Sequence, residues 1–176
     1  MKSGRIRYFG CSNWRASRII EADEYAKEHR LKSFSVNQLL WNMAVVDMGK
    51  YPWPGCTNMD DDAYKYHIQS GLAAFAYESQ ARGFFHKMHN GAEENISKAL
   101  SEQYKSEKNK KRLNKALELC KETGKPLTVV ILSYLLSQPF PSAAQITSSS
   151  VEQLNDSLQN ADFRLTKEQL AFIESE

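Results

Sequence analysis

Four short apolar runs alternate with helix-length patterns along this chain, and no other feature restricts its fold as tightly. The first run, residues 6–10, is followed by a helical pattern from about Arg15 to Glu28, where Ile19, Ile20, Ala22 and Ala26 make an apolar stripe. Residues 34–40 alternate as a strand. An irregular stretch then carries Tyr51-Pro52-Trp53-Pro54-Gly55, in which Pro and Gly break regular structure. Asp60, Asp61 and Asp62 open a helix that reaches about Ser70, since negative charge is favoured at a helix amino end. The third run is 72–77.

A loop is expected over 78–96, then a highly charged helical region over 97–123 that Gly124 closes. Residues 127–137 read as a buried helix because the run is longer than a usual strand, although Val129, Val130 and Ile131 favour a strand. A short fourth strand, 143–146, precedes Ser150-Val151-Glu152-Gln153, a capping-box pattern that opens a helix to about Asn160. A second box, Thr166-Lys167-Glu168-Gln169, starts a terminal helix. Repeated strand–helix alternation predicts an α/β fold with four parallel strands, flanking helices and right-handed crossovers. Four such units are too few to close an eight-stranded barrel and enough to form half of one.

The 176 residues suit one domain, and 41% apolar residues suffice for a core. A net charge of +2 implies neither nucleic acid nor a membrane surface as partner. Cys11, Cys56 and Cys120 are odd in number and form no CxxC pair, as in a reducing compartment. No apolar run approaches a membrane span, and the amino end lacks the hydrophobic region of a signal peptide, so a cytoplasmic protein is expected.

In β/α folds, chemistry sits at the carboxyl ends of the strands. Those positions hold Ser12 and Asn13, Gln38, Tyr77, and the hydroxyl run from Thr147 through Ser148 and Ser149 to Ser150. Amide and hydroxyl groups can hold a carboxamide, a tyrosine can stack on its ring, and a helix amino end accepts a phosphate. After Tyr77 come Ser79, Gln80, Arg82 and Gly83, small and cationic residues suited to a phosphorylated ligand. Together these describe a nicotinamide dinucleotide site. Each also has an ordinary structural role open to it: Ser12 or Asn13 as a helix cap, Gln38 as a bridge to loop backbone, Tyr77 as a core aromatic, and the serine run as a cap.

Gly10-Cys11-Ser12-Asn13-Trp14, Gln38-Leu39-Leu40-Trp41-Asn42, the stretch 77–85 and Ser149-Ser150-Val151-Glu152-Gln153-Leu154 together resemble aldo/keto reductases in order and spacing. The resemblance covers essentially all of the chain. It implies a single partial domain over 1–176, the C-terminal half of a (β/α)8 TIM barrel from the fifth strand to the terminal helices. It also implies NADPH, or NADH, as cofactor in the reduction of aldehydes and ketones. By that likeness Ser12, Asn13 and Gln38 hold the nicotinamide carboxamide and Tyr77 lies under the ring. Ser79, Gln80 and Arg82 pass over the pyrophosphate. Thr147, Ser148, Ser149, Gln153 and Ser157 face the adenosine and 2′-phosphate. Thr147 stands where a glycine is common, Ser157 where an asparagine is frequent, and Glu78 where a serine is common. No lysine or arginine lies between Thr147 and Gln153, which leaves preference for the 2′-phosphate open.

The family's aspartate, tyrosine, lysine and histidine belong to an N-terminal half, and nothing in this chain matches their motifs. Tyr51, Tyr64 and Tyr66 fall outside any such motif, and residues 1–4 resemble the approach to a fifth strand. The expectation is a partial reductase that carries the cofactor half and works with a missing N-terminal half. The alternative is a non-catalytic cofactor-binding or assembly protein of dimerised half-barrels. His86 and His89 are read as lacking metal partners, residues 105–112 as a solvated face, and Cys11 as a small buried residue rather than a reactive thiol.

Overall fold

The computed structural model describes residues 4–175. Four strands form one parallel sheet in chain order: β1 (Gly10–Ser12), β2 (Val36–Leu40), β3 (Ala73–Tyr77) and β4 (Ser142–Ala144). Register places Ser12 opposite Gln38, Gln38 opposite Phe75, and Phe75 opposite Ala143. This row runs across one face of the sheet. The alternate positions Asn37, Leu39, Ala74 and Ala76 are buried, as a strand's two-residue period requires when one face is covered. Among the described residues, β1 and β4 each have a neighbour on one side only.

The helices are α1 (Ala16–Glu28), α2 (Asp61–Ser70), α3 (Phe84–His89), α4 (Lys98–Tyr104), α5 (Glu107–Thr123), α6 (Leu127–Leu136), α7 (Val151–Leu158) and α8 (Lys167–Glu174). The Asp60 carboxylate caps α2 by accepting from Ala63 N at 2.8 Å, and Gly71 ends the helix at φ 69°. Thr166 and Gln169 form a reciprocal capping box on α8. α6 is apolar on every side and buried from Leu127 to Leu135, which fits a helix enclosed between the sheet and its neighbours. The core joins Leu39, Met43 and Ala76 to Phe84, Phe85, Tyr104, Ile131, Leu135 and Ile173.

Five expectations are corrected. β1 begins at Gly10 and not at residue 6, because β2 offers no partner before Val36; Ile6 and Tyr8 are exposed, and Phe9 packs edge-on to Phe34. The second strand likewise starts at Val36. The charged region 97–123 is two helices, divided where Ser106 caps α5 by accepting from Asn109 N. The segment 78–96 is not all loop, since Gly83 at φ 77° precedes α3 and seats Phe84 and Phe85 in the core. The fourth strand covers 142–144, which leaves Gln145 and Ile146 beyond its end.

Candidate functional site at the carboxyl ends of the strands

The strand ends are tied together by side chains. Asn13, just past β1, adopts φ 59°, a left-handed conformation that asparagine tolerates better than most residues. Its backbone N–H donates to Gln38 O at 2.8 Å. Its Oδ1 accepts from Thr57 N at 3.1 Å and from the Tyr77 hydroxyl at 2.8 Å. Neither Ser12 nor Asn13 caps α1, whose N-cap residue is Arg15 with no side-chain cap bond. Gln38 Nε2 donates to Gln145 Oε1 at 2.8 Å, so this side chain bridges to another side chain and not to loop backbone. The Ser79 hydroxyl donates to Gln145 O at 2.6 Å.

A cleft of about 760 Å³ opens beside this rim. Tyr77, Ser79, Gln80 and Arg82 line it from one segment; Thr147, Ser148, Ser149, Gln153 and Ser157 line it from the other. Gln80 Nε2 donates to Ser157 Oγ at 3.0 Å and links the two. Ser12, Asn13 and Gln38 do not line the cleft; Asn13 joins it through Tyr77, and Gln38 through Gln145. The Ser150 hydroxyl accepts from Gln153 N and caps α7. The expected box is only half made, because Gln153 Oε1 instead accepts from Ser149 N and Ser149 Oγ, both at 2.9 Å. Ser148 Oγ is buried on the cleft wall with no hydrogen-bond partner among the described residues. A buried hydroxyl without a partner carries a desolvation cost that a polar ligand removes.

Several residues of the cleft are not assigned to it from the sequence. His86 and Lys87 line it because α3 exists, and the spacing of Phe84, Phe85 and Met88 is the signal that would have revealed that helix. His86 Nε2 lies 2.8 Å from Thr128 Oγ1, and the Thr128 hydroxyl donates to the Asp156 carboxylate. Burial holds the His86 imidazole below its ordinary value, with Asp156 acting in the opposite direction. Gln145 is hidden by the expectation that the strand continues through it.

Glu78 is not a free acid beside the cleft. Its carboxylate accepts from the Tyr51 and Tyr104 hydroxyls, each at 3.1 Å, and Asn42 Nδ2 donates to its backbone carbonyl at 3.1 Å. The Tyr51 bond fastens the irregular stretch 45–57 to the end of β3, and the Tyr104 bond does the same for the end of α4. Burial first, and the Glu78 charge second, raise the pKa of both tyrosines, so both hydroxyls remain proton donors. Tyr51 thus belongs to the strand-end rim despite lying outside any recognised motif. Burial also raises Tyr77, with its neighbour Cys56 as the next cause.

The half-buried Cys11 thiol is pushed up to about 11 by burial, which leaves little nucleophilic thiolate near neutral pH. Among the described residues no group of three or more His, Cys, Asp or Glu is arranged to hold a metal ion. No described helix is long and apolar enough to cross a membrane. A second cleft of about 740 Å³, lined by Asn58, Asp60, Lys65, Arg112 and Glu174 among others, contains none of the twelve site residues expected from the sequence.

The family model of the aldo/keto reductases matches residues 1–175. An uncharacterized oxidoreductase of Bacillus subtilis (strain 168), YrpG, is 25% identical over 177 residues, covering 98% of this chain and 49% of its own. Norsolorinic acid reductase B of Aspergillus parasiticus is 39% identical over 54 residues, 31% of this chain and 14% of that protein. Among solved structures, the thermostable aldo-keto reductase Tm1743, crystallised with the inhibitor epalrestat, matches with a TM-score of 0.61 at 19% identity, over 98% of this chain and 49% of that one. That likeness is one of fold: an α/β architecture whose parallel sheet resembles that of the reductase. The chain spans about half the length of these first relatives.

Proposed function

We propose that this chain, which belongs to the aldo/keto reductase family, binds a nicotinamide dinucleotide in the cleft beside β3 and α7. It would do so as the C-terminal, cofactor-holding half of an NAD(P)H-dependent reductase of aldehydes and ketones. The observation that carries this reading is convergence: residues 77–82 and 147–157, far apart in sequence, line one cleft whose wall bears the unpartnered Ser148 hydroxyl. Members of the family generally use nicotinamide cofactors.

In this reading Ser12, Asn13 and Gln38 hold the carboxamide and Tyr77 supports the ring. The bond from Tyr77 to Asn13 keeps the two groups in register before any ligand arrives, which lowers the ordering cost of binding. Ser79, Gln80 and Arg82 take the pyrophosphate, with Arg82 as the cation suited to its oxygens. Thr147, Ser148, Ser149, Gln153 and Ser157 take the adenosine end. A nicotinamide held there would provide the hydride for reduction of a carbonyl carbon. The proton must come from a group outside the motifs found in this chain, so reduction requires a complementary N-terminal half-barrel. The free Cys11, Cys56 and Cys120 are in keeping with a cytoplasmic setting.

Calorimetric titration of the 176-residue chain with NADPH and with NADH tests this reading. Saturable one-site binding without reduction of a reactive aldehyde supports it. Absence of binding refutes the cofactor assignment, and turnover by the chain alone refutes the need for a second half.

A further inference from the structure

The cleft beside β3 and α7 is lined by more charge than its sequence motifs account for. Arg82, His86 and Lys87 line it together with Glu78 and Asp156, yet no salt bridge joins any of them among the described residues. Both acids are engaged by neutral donors instead. Glu78 accepts from Tyr51 and Tyr104, while Asp156 accepts from Gln159 Nε2 at 2.7 Å and from the Thr128 hydroxyl. The basic side chains of α3 and of the turn before it are left without a counter-ion.

His86 is held by the same string of bonds. A hydroxyl has one proton to give, and that of Thr128 goes to Asp156, so Thr128 Oγ1 must accept from His86 Nε2 at 2.8 Å. Nε2 therefore carries a hydrogen in either charge state of the ring. Nδ1 makes no hydrogen bond among the described residues and is not sealed from solvent. A proton can reach it without breaking the link from α3 through Thr128 to α7. Burial disfavours that proton in the free chain, Asp156 favours it, and the exposed His89 on α3 opposes it. The remaining charges of the cleft are Arg82, Lys87 and the tyrosine-bound Glu78.

We propose that His86 and Lys87 join Arg82 in holding the pyrophosphate, and that His86 takes a proton from solvent onto Nδ1 as the nucleotide binds. The ligand brings negative charge to a ring with one acceptor free, and protonation turns that acceptor into a second, charge-assisted donor. This inference rests on the nucleotide reading above. It holds for NADH and NADPH alike, because both carry the same pyrophosphate.

Calorimetric titration of the chain with NADH, in two buffers of different ionisation enthalpy, measures the uptake. NADH is the probe because its pyrophosphate has no group titrating between about pH 6 and 8, whereas the 2′-phosphate of NADPH titrates there. The result expected is net proton uptake at pH 7 and an affinity at least about threefold higher at pH 6 than at pH 8. His86→Gln keeps a donor toward Thr128 and abolishes both effects, while His89→Gln retains them. Lys87→Gln weakens NADH binding at least about threefold, by less as salt rises. If His86→Gln does not fold, NMR titration of the assigned His86 imidazole in the unmodified chain serves, its midpoint moving to higher pH on addition of NADH. Binding without proton uptake, uptake that persists in His86→Gln or is lost in His89→Gln, a His86 midpoint that NADH does not raise, or unchanged affinity in Lys87→Gln overturns the inference and leaves the cofactor reading standing. Absence of NADH binding overturns both.

Discussion

The Tyr77 hydroxyl donates to Asn13 Oδ1 at 2.8 Å, joining the ends of the third and first strands across 64 residues of sequence. The bond fixes an aromatic ring and an amide as neighbours at the rim of the cleft. Tyr77→Phe removes it at a cost of about 1 kcal/mol in stability, read by chemical denaturation. Tyr77→Ala removes the ring as well, and nucleotide affinity should fall at least about tenfold, or 1.4 kcal/mol, by calorimetry. Unchanged affinity in the alanine variant would remove Tyr77 from the site.

Gly10 pairs with Val36 at the start of β1, with no room for a side chain on its side facing β2. A Cβ there would lie 2.4 Å from Val36 O and 2.5 Å from Val36 Cγ1. Because the first contact is with backbone, Gly10→Ala must push the edge strand outward and carry Ser12 and Asn13 with it. We expect a loss of roughly 1–3 kcal/mol in stability together with weaker nucleotide binding. A variant as stable as the parent would show that the β1 pairing is not held at that spacing.

Two histidines set a pH response. His67 is 1% exposed, its Nδ1 lies 2.6 Å from Leu72 O, and its Nε2 has no partner among the described residues. Burial lowers both His67 and His86 from the ordinary 6.5. Below that value the unfolded chain takes up protons that the folded chain resists, until the pH reaches the lowered folded values. Stability is therefore full above 6.5 and declines as pH falls through this window, by at most about 1.4 kcal/mol per pH unit for each group. Denaturation midpoints between pH 7 and 5 measure the slope, and His67→Gln should reduce it. A slope of opposite sign contradicts the burial argument.

At the adenosine end, residues 147–153 offer hydroxyls and an amide but no lysine or arginine. A 2′-phosphate finds no cationic partner in that segment, so NADPH and NADH should bind within about tenfold of each other. Discrimination of a hundredfold or more for NADPH would place a cation there that the folded chain does not supply from this segment.

Much of this arrangement is legible in the sequence because strand ends are local features. Asn13 follows a run that reads as a strand, Gln38 and Tyr77 lie within such runs, and the serines before Val151 precede a run that marks a helix. What periodicity cannot supply is the partner. Residues 6–9 have the composition of a strand, yet pairing starts at Gly10 because β2 starts at Val36. Phe34, which also reads as strand, instead packs against Phe9 and Trp14 at ring-centroid distances of 5.3 and 5.2 Å. Gly83 reads as a small residue suited to a phosphorylated ligand, and in the folded chain it is the left-handed residue that precedes α3, which brings His86 and Lys87 to the cleft. Glu78 reads as an acid near phosphate, whereas its two tyrosine partners come from Tyr51 and from Tyr104, a tertiary relationship that no local pattern encodes.

The most direct test is amide hydrogen exchange on the chain with and without saturating NADPH. The account predicts that protection rises together in the segments 77–83 and 145–157, the two that line the cleft. Protection absent from either segment, or confined to the second cleft around Asn58 and Asp60, would contradict it.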